Sequence, residues 1–219
     1  SYYLTNLNNI FEDNMALEGD KYGVWVYLRN ATESPFFLMK ICPVGIALSS
    51  FKNNSVFSHE IGLFISPGYW PREKPCEPFR DLMNMNQPFI KNKPLNATFN
   101  GFRGYRNRDS GVFAQKVGAV KFDNFELIEN KRAGFEIRTI ETIDGWFSLR
   151  NSKFKGSLID KAGDRIGLIT AKSDGNYYEN ISFVSFDNTL NSIAIQTCSG
   201  CEKDTDTDIP GGKIIQISA

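Results

Sequence analysis

A single histidine, no net charge and no long apolar run set the first limits on this chain of 219 residues. Lys plus Arg number 25 and Asp plus Glu number 25, so no global field steers the chain toward phosphates, and nucleic acid is not an expected partner. The richest apolar stretch, Phe36 to Leu48, is broken by Lys40 and Pro43 and falls short of the roughly 20 residues a bilayer demands, so this segment is not expected to insert into a membrane. One histidine is a poor supply of zinc ligands. Gly-x-Ser-x-Gly and Walker-type loops are missing, which leaves acyl transfer and phosphate cradling without a motif. Helical periodicity is nearly absent. The opening Ser1-Tyr2-Tyr3-Leu4 has neither an initiator Met nor the basic-then-apolar order of a signal peptide, and it reads as part of something longer.

What is present is the balance of a folded globular protein, 41% hydrophobic and 23% charged. The cysteine count is even: Cys42, Cys76, Cys198 and Cys201, the last two forming Cys-x-x-Cys. Four Asn-x-Ser/Thr acceptors stand at Asn30, Asn53, Asn96 and Asn180. Together they favour an oxidising, secretory setting over a cytosolic one.

A pattern recurs along the chain. Phe11-Glu-Asp-Asn14 leads to Gly23-Val-Trp-Val26, and Phe51-Lys-Asn-Asn54 leads to Gly62-Leu-Phe-Ile65. Phe99, Phe122 and Phe154 lead in the same way to Gly111, Gly134 and Gly167, and a decayed copy begins at Phe183. Apolar residues alternate inside each copy, as in Val120-Lys-Phe122-Asp-Asn-Phe125, which predicts short half-buried strands broken by a corner. Each Gly suits a place where a side chain would clash, and each Asn suits a left-handed corner or a stacked amide ladder.

Two strands joined by corners make one coil, and a coil's backbone donors and acceptors are satisfied only by another coil. The prediction is an all-β, right-handed parallel β-helix of about six coils, a single domain over residues 1–219 that is a fragment of a larger ectodomain. Phe11, Phe51, Phe99, Phe122, Phe154 and Phe183 are expected to form one interior file. A β-sandwich is the competitor, but no clean Asn-Gly or Asp-Gly hairpin joins consecutive strands. Uneven spacing marks insertions at about 29–45 and 66–98, rich in proline and expected to project as binding loops.

The stretch Phe51-Lys-Asn-Asn-Ser-Val-Phe-Ser-His59 through Gly62-Leu-Phe-Ile-Ser-Pro-Gly-Tyr69-Trp-Pro71 resembles a segment of the fibrocystin and fibrocystin-L family. So does Gly111 to Glu136, with Phe122-Asp-Asn-Phe125 and Glu129-Asn-Lys-Arg-Ala-Gly134. Cys198-Ser-Gly-Cys201 falls where that family has a close Cys pair. The likeness covers residues 7 to 216 and extends more weakly to cell-surface hyaluronidases. It implies a secreted or cell-surface β-helix cut from a large ectodomain that is tethered elsewhere by one membrane span, with a ciliary membrane as one location. One departure is that the family's His is Phe57 here, with His59 two residues later, so no role of that imidazole carries over.

Cys42 and Cys76 each sit in an insertion and flank a coil, so their pairing is preferred, with Cys198 to Cys201 as the second disulfide. Redox or zinc use of the Cys-x-x-Cys is the alternative. Sugar cleavage needs grouped carboxylates; Asp123, Glu136, Asp144, Asp160 and Asp164 lie near corners without such a group and are expected to be solvated. His59 as a general base lacks a suggestive neighbour. Asp204, Asp206 and Asp208 alternate as in the opening of a calcium loop but lack its Gly and its closing Glu, leaving weak calcium as the one candidate cofactor beside a plain acidic loop. Arg103, Tyr105, Arg106 and Arg108, with Tyr69 and Trp70 of the insertion, are the candidate contacts for a glycan or partner, against packing or exposed-corner roles. The expected function is a non-catalytic extracellular scaffold or adhesion segment that binds neighbouring domains, other surface proteins or glycans. The alternatives are a hyaluronidase-like polysaccharide-acting enzyme and a glycan-binding lectin.

Overall fold

The computed structural model describes residues 1–28, 42–76, 92–140, 147–156, 165–172, 175–186 and 192–198. It is all-β and parallel, of the β-helix or solenoid kind. Seven strands make one sheet: β1 (Tyr2–Leu4), β4 (Tyr22–Val26), β6 (Ile61–Ile65), β8 (Ser110–Val117), β11 (Ala133–Ile140), β13 (Arg165–Thr170) and β15 (Ser192–Thr197), adjacent in that order. Eight make the other: β2 (Ile10–Glu12), β3 (Met15–Leu17), β5 (Ser50–Phe57), β7 (Ala97–Tyr105), β9 (Val120–Asp123), β10 (Glu126–Ile128), β12 (Phe147–Lys155) and β14 (Asn176–Val184). From β4 on, the chain passes from one sheet to the other and returns one strand further along. Parallel pairs cannot be joined by hairpins, which is why no hairpin signal stands in the sequence.

Corners fix the register. Strands β5, β7, β12 and β14 each contain a residue with left-handed backbone, and equivalent turns follow β2 and β9. The equivalent residues are Asp13, Asn53, Gly101, Asn124, Asn151 and Asn180, all with φ between 47° and 65°. Asn, Asp and Gly are the types that tolerate this conformation. The residue after the corner points inward: Asn14 and Asn54 stack as an amide ladder, with the Asn14 side chain donating to Asn54 Oδ1 at 3.1 Å. Phe102 and Phe125 take that place in the next coils. Both uses predicted for Asn, corner and ladder, therefore occur.

The predicted glycine file is real, and its cause is backbone approach. An added Cβ on Gly62 would lie 2.4 Å from the Gly111 carbonyl oxygen, on Gly111 2.7 Å from that of Gly134, and on Gly134 2.7 Å from that of Gly167. Any side chain here would push successive coils apart.

The phenylalanine file is corrected in its last two members. Phe11 pairs with Phe51 and Phe99 with Phe122, but Phe122 pairs with Leu149, which pairs with Tyr178. Phe154 sits opposite Leu127 and Phe183, five residues out of the predicted register and in the neighbouring interior file. The rings nonetheless form one core, with centroid separations of 4.9 Å for Phe51–Phe99 and 5.3 Å for Phe99–Phe122.

The described parts of the two insertions fold back onto the body instead of projecting. Tyr69 is fully buried and its hydroxyl donates to the Ile46 carbonyl at 3.0 Å. The Trp70 amide donates to Val44, the Arg72 amide to Gly45, and Cys42 is bonded to Cys76 with Cα atoms 5.2 Å apart.

Phe122, with no exposed surface, packs against Phe99, Phe125, Phe135 and Phe147. Phe122→Ala is expected to lower the free energy of unfolding by about 3–5 kcal/mol in a denaturant titration. A loss near that of a surface substitution would show that the ring stack does not hold the coils together.

Candidate functional site

Three surface or corner features carry chemistry. The first is an outward file on the seven-stranded sheet. In each Gly-apolar-x-apolar repeat the x residue alternates away from the core, and parallel pairing stacks Tyr3, Trp25, Phe64 and Phe113 along four successive strands. Tyr3 and Trp25 rings lie 5.0 Å apart and Phe64 and Phe113 5.4 Å apart, while Tyr22 and Tyr27 flank the strip at 5.1 and 5.0 Å from Trp25. Tyr3 is 55% exposed and the others are half-buried. The strip ends where Arg138 lies 5.1 Å over Phe113, beside Glu136. Such a surface can stack on a flat, partly apolar ligand face.

The second is a cleft of about 440 Å³ on the first-corner register of the other sheet. Asn53, Asn124 and Asn151 line it on one side and Ser55, Arg103, Glu126 and Lys153 on the other. Arg103 pairs with Glu126 at 3.2 Å, and Lys153 has no ion-pair partner among the described residues.

The third feature is His59, which takes the place of an asparagine in a second corner ladder. Its backbone N–H donates to Asn107 Oδ1 at 3.1 Å, and the Asn107 side chain donates to Asn130 at 2.8 Å. The imidazole is fully buried, with Nδ1 2.9 Å from the Phe57 carbonyl. A carbonyl only accepts, so Nδ1 carries the proton. Nε2 faces Gly19 with no partner, where an added Cβ would be 2.4 Å away. Burial holds the imidazole below its ordinary pKa, opposed by the bond to Phe57, and the ring is neutral. Enclosed by its own ladder, it is placed for structure and not for acid–base work.

The sequence-derived candidates separate under this geometry. Arg103 and Tyr105 share the outward face of β7, Arg103 in the cleft and Tyr105 against Phe57 at 5.9 Å. Arg106 is tied to Glu129 at 2.7 Å and lies over Tyr105, and Arg108 donates to the carbonyls of Gly19 and Asp20. These two act as clamps between coils. Tyr69, named as a surface contact, is corrected to a core residue, and Trp70 is half-buried beneath Lys116. Among the carboxylates, Glu136 is not solvated but buried against Arg132 and Arg138, and Asp123 accepts from Asn151 at 2.9 Å. Asp144, Asp160 and Asp164 lie outside the described residues, as do Asn30, Cys201 and the calcium candidates Asp204, Asp206 and Asp208. Cys198 is disulfide-bonded. Asn53, Asn96 and Asn180 are exposed. The outward aromatic file was the missed feature, although the alternation inside each Gly repeat carries it.

Over 201 residues the chain is 28% identical to fibrocystin-L of Mus musculus, spanning 85% of this chain. The chain is fibrocystin-L-like. It is likewise 27% identical to fibrocystin-L of Homo sapiens over 213 residues, 91% of its length. It spans only 4% and 5% of the length of these two relatives. No family model matches.

Because the lowered pKa is that of a buried neutral base, the unfolded state binds its proton first as pH falls through about 6.5. Stability contributed by neutral His59 is complete above that pH and is lost below it. Urea titrations between pH 7.5 and 5.5 are expected to show this decline, and His59→Asn, which restores the ladder amide, to flatten it. An equal slope in the variant would remove His59 as its source.

Proposed function

We propose that this chain is a segment of a right-handed parallel β-helix of about six coils, one domain over residues 1–219, that stands outside the cell or on its surface. It serves there as a non-catalytic scaffold whose faces engage surface proteins or glycans. The six equivalent corner residues support the coil count. The Cys42–Cys76 disulfide and the fibrocystin-L likeness support the compartment.

The observation that carries the binding reading is the outward aromatic file. Burying Tyr3, Trp25, Phe64 or Phe113 in the core would be the cheaper use of such rings, yet four successive strands present them on the outside. Repetition at the spacing of the strands, about 4.8 Å, makes a continuous platform instead of scattered apolar residues.

The test presents the secreted chain to an oligosaccharide array and, in parallel, to intact animal cells. Binding without shortening of any oligosaccharide is expected. Tyr3→Thr with Phe64→Thr keeps strand-forming residues and is expected to weaken binding about tenfold, from stacking worth about 0.5–1.5 kcal/mol per ring. Unchanged binding by the variant, binding to neither probe, or release of shortened oligosaccharide would overturn the reading.

A further inference from the structure

Two acceptor sequons occupy the same structural register. Asn53-Asn54-Ser55 and Asn180-Ile181-Ser182 each place their Asn at the left-handed first corner, with φ of 51° and 52°. Each places its Ser in the file that runs Ser55, Arg103, Glu126, Lys153, Ser182 across the strands. The two files are the two sides of the cleft, so Asn53 and Ser55 line it directly.

The cleft exists because one member of the corner file has no side chain. At Gly101, with φ of 65°, an added Cβ would come within 2.6 Å of Asn53 Oδ1. The Asn53 carboxamide therefore already leans over Gly101, into the gap that separates it from Asn124. At the other end Asn180 Nδ2 donates to Asn151 Oδ1 at 2.9 Å, so its amide also runs along the file.

The lining chemistry suits a hydroxyl-rich occupant, to which Lys153 adds a cationic donor. Carboxamides both donate and accept, as sugar hydroxyls and acetamides do. Arg103 and Glu126 largely neutralise each other at 3.2 Å. The Phe125 ring is buried, so no apolar platform competes. The volume, about 440 Å³, lies within the range of small-ligand sites. Coils repeat at about 4.8 Å along the axis, close to the advance of one pyranose in a linear glycan, so inner sugars can meet one carboxamide after another.

We propose that Asn53 carries an N-linked glycan whose innermost sugars lie in this cleft, against Asn124 and Asn151. The step transfers an oligosaccharide from a lipid-diphosphate donor. Nδ2 forms a bond to the anomeric carbon, the carbon–oxygen bond to the diphosphate breaks, the lipid diphosphate leaves with that electron pair, and one amide proton is released. Nδ2 retains one N–H for the cleft. The proposal rests on the extracellular reading above.

The chain is secreted from cultured animal cells, treated natively with a peptide-N-glycosidase in heavy-oxygen water, and mapped peptide by peptide. Glycan at Asn53 is expected to be released at least about tenfold more slowly than glycan at Asn96, with the difference vanishing on denaturation. Gly101→Asn fills the gap with the residue type found at Asn124, Asn151 and Asn180, and is expected to bring Asn53 release to the Asn96 rate while leaving the thermal midpoint near that of the parent. An empty Asn53 beside an occupied Asn96 would overturn this proposal alone. So would release at equal rates, or protection that persists in Gly101→Asn. Absence of glycan from Asn53, Asn96 and Asn180 together would overturn the extracellular reading with it.

Discussion

Inter-coil backbone pairing at one register is the constraint on which everything else depends. In a parallel stack each strand's donors and acceptors point along the axis, and only the strand one coil away satisfies them. A slip of one residue would turn every interior side chain outward. The left-handed corner stops that slip. It recurs two residues beyond Phe11, Phe51, Phe99, Phe122, Leu149 and Tyr178, and pairing aligns those residues from coil to coil. A left-handed residue costs about 1–2 kcal/mol for most types, so Asn, Asp and Gly at the corner select the register by being cheap only there.

The corner explains which parts of the fold were legible. Strand alternation, the Gly repeats and the doubled use of Asn all come from local physics, and sequence alone displays them. The phenylalanine file failed at Phe154 and Phe183 because the eye follows the large residue, whereas the chain follows the corner. Leu149 and Tyr178 fill the file position at much the same volume. Interiors accept such exchanges when total volume is kept. The first corner holds only Asp, Asn or Gly in all six places, so Asn151 and Asn180 were the better anchors. Tyr69 was illegible for a different reason. A proline-rich insertion has no periodicity to say which ring turns inward; the backbone bonds from Tyr69 to Lys116 and from Gly118 to Tyr69, with the hydroxyl bond to Ile46, place it.

Burial of the ladder asparagines follows the same rule of neighbours one coil apart. Asn14 donates to Asn54, whose own amide donates to the Phe11 carbonyl; Asn107 donates to Asn130, whose amide donates to the Gly104 carbonyl; and Glu136 is held by Arg132 and Arg138. Each asparagine is affordable because an adjacent coil supplies its partner, whereas Glu136 is held within its own coil by guanidinium groups two and four residues away. His59 occupies an equivalent position but brings a second ring nitrogen that the ladder cannot use. Its neutrality follows directly: a second proton on the ring would add a buried donor facing Gly19 with nothing to receive it.

With the interior committed to register, the outer faces are free to differ, and they do so in chemistry. One sheet presents rings at Tyr3, Trp25, Phe64 and Phe113, and the other presents carboxamides and charged groups at the corner. Both sets inherit the same repeat along the axis, so a ligand that is itself periodic gains a contact with each coil it crosses, and weak single contacts add. A break in the series matters more than any member of it. Gly101 removes one side chain from the corner file and thereby opens a cleft in an otherwise even ridge, giving a repetitive body a distinct position.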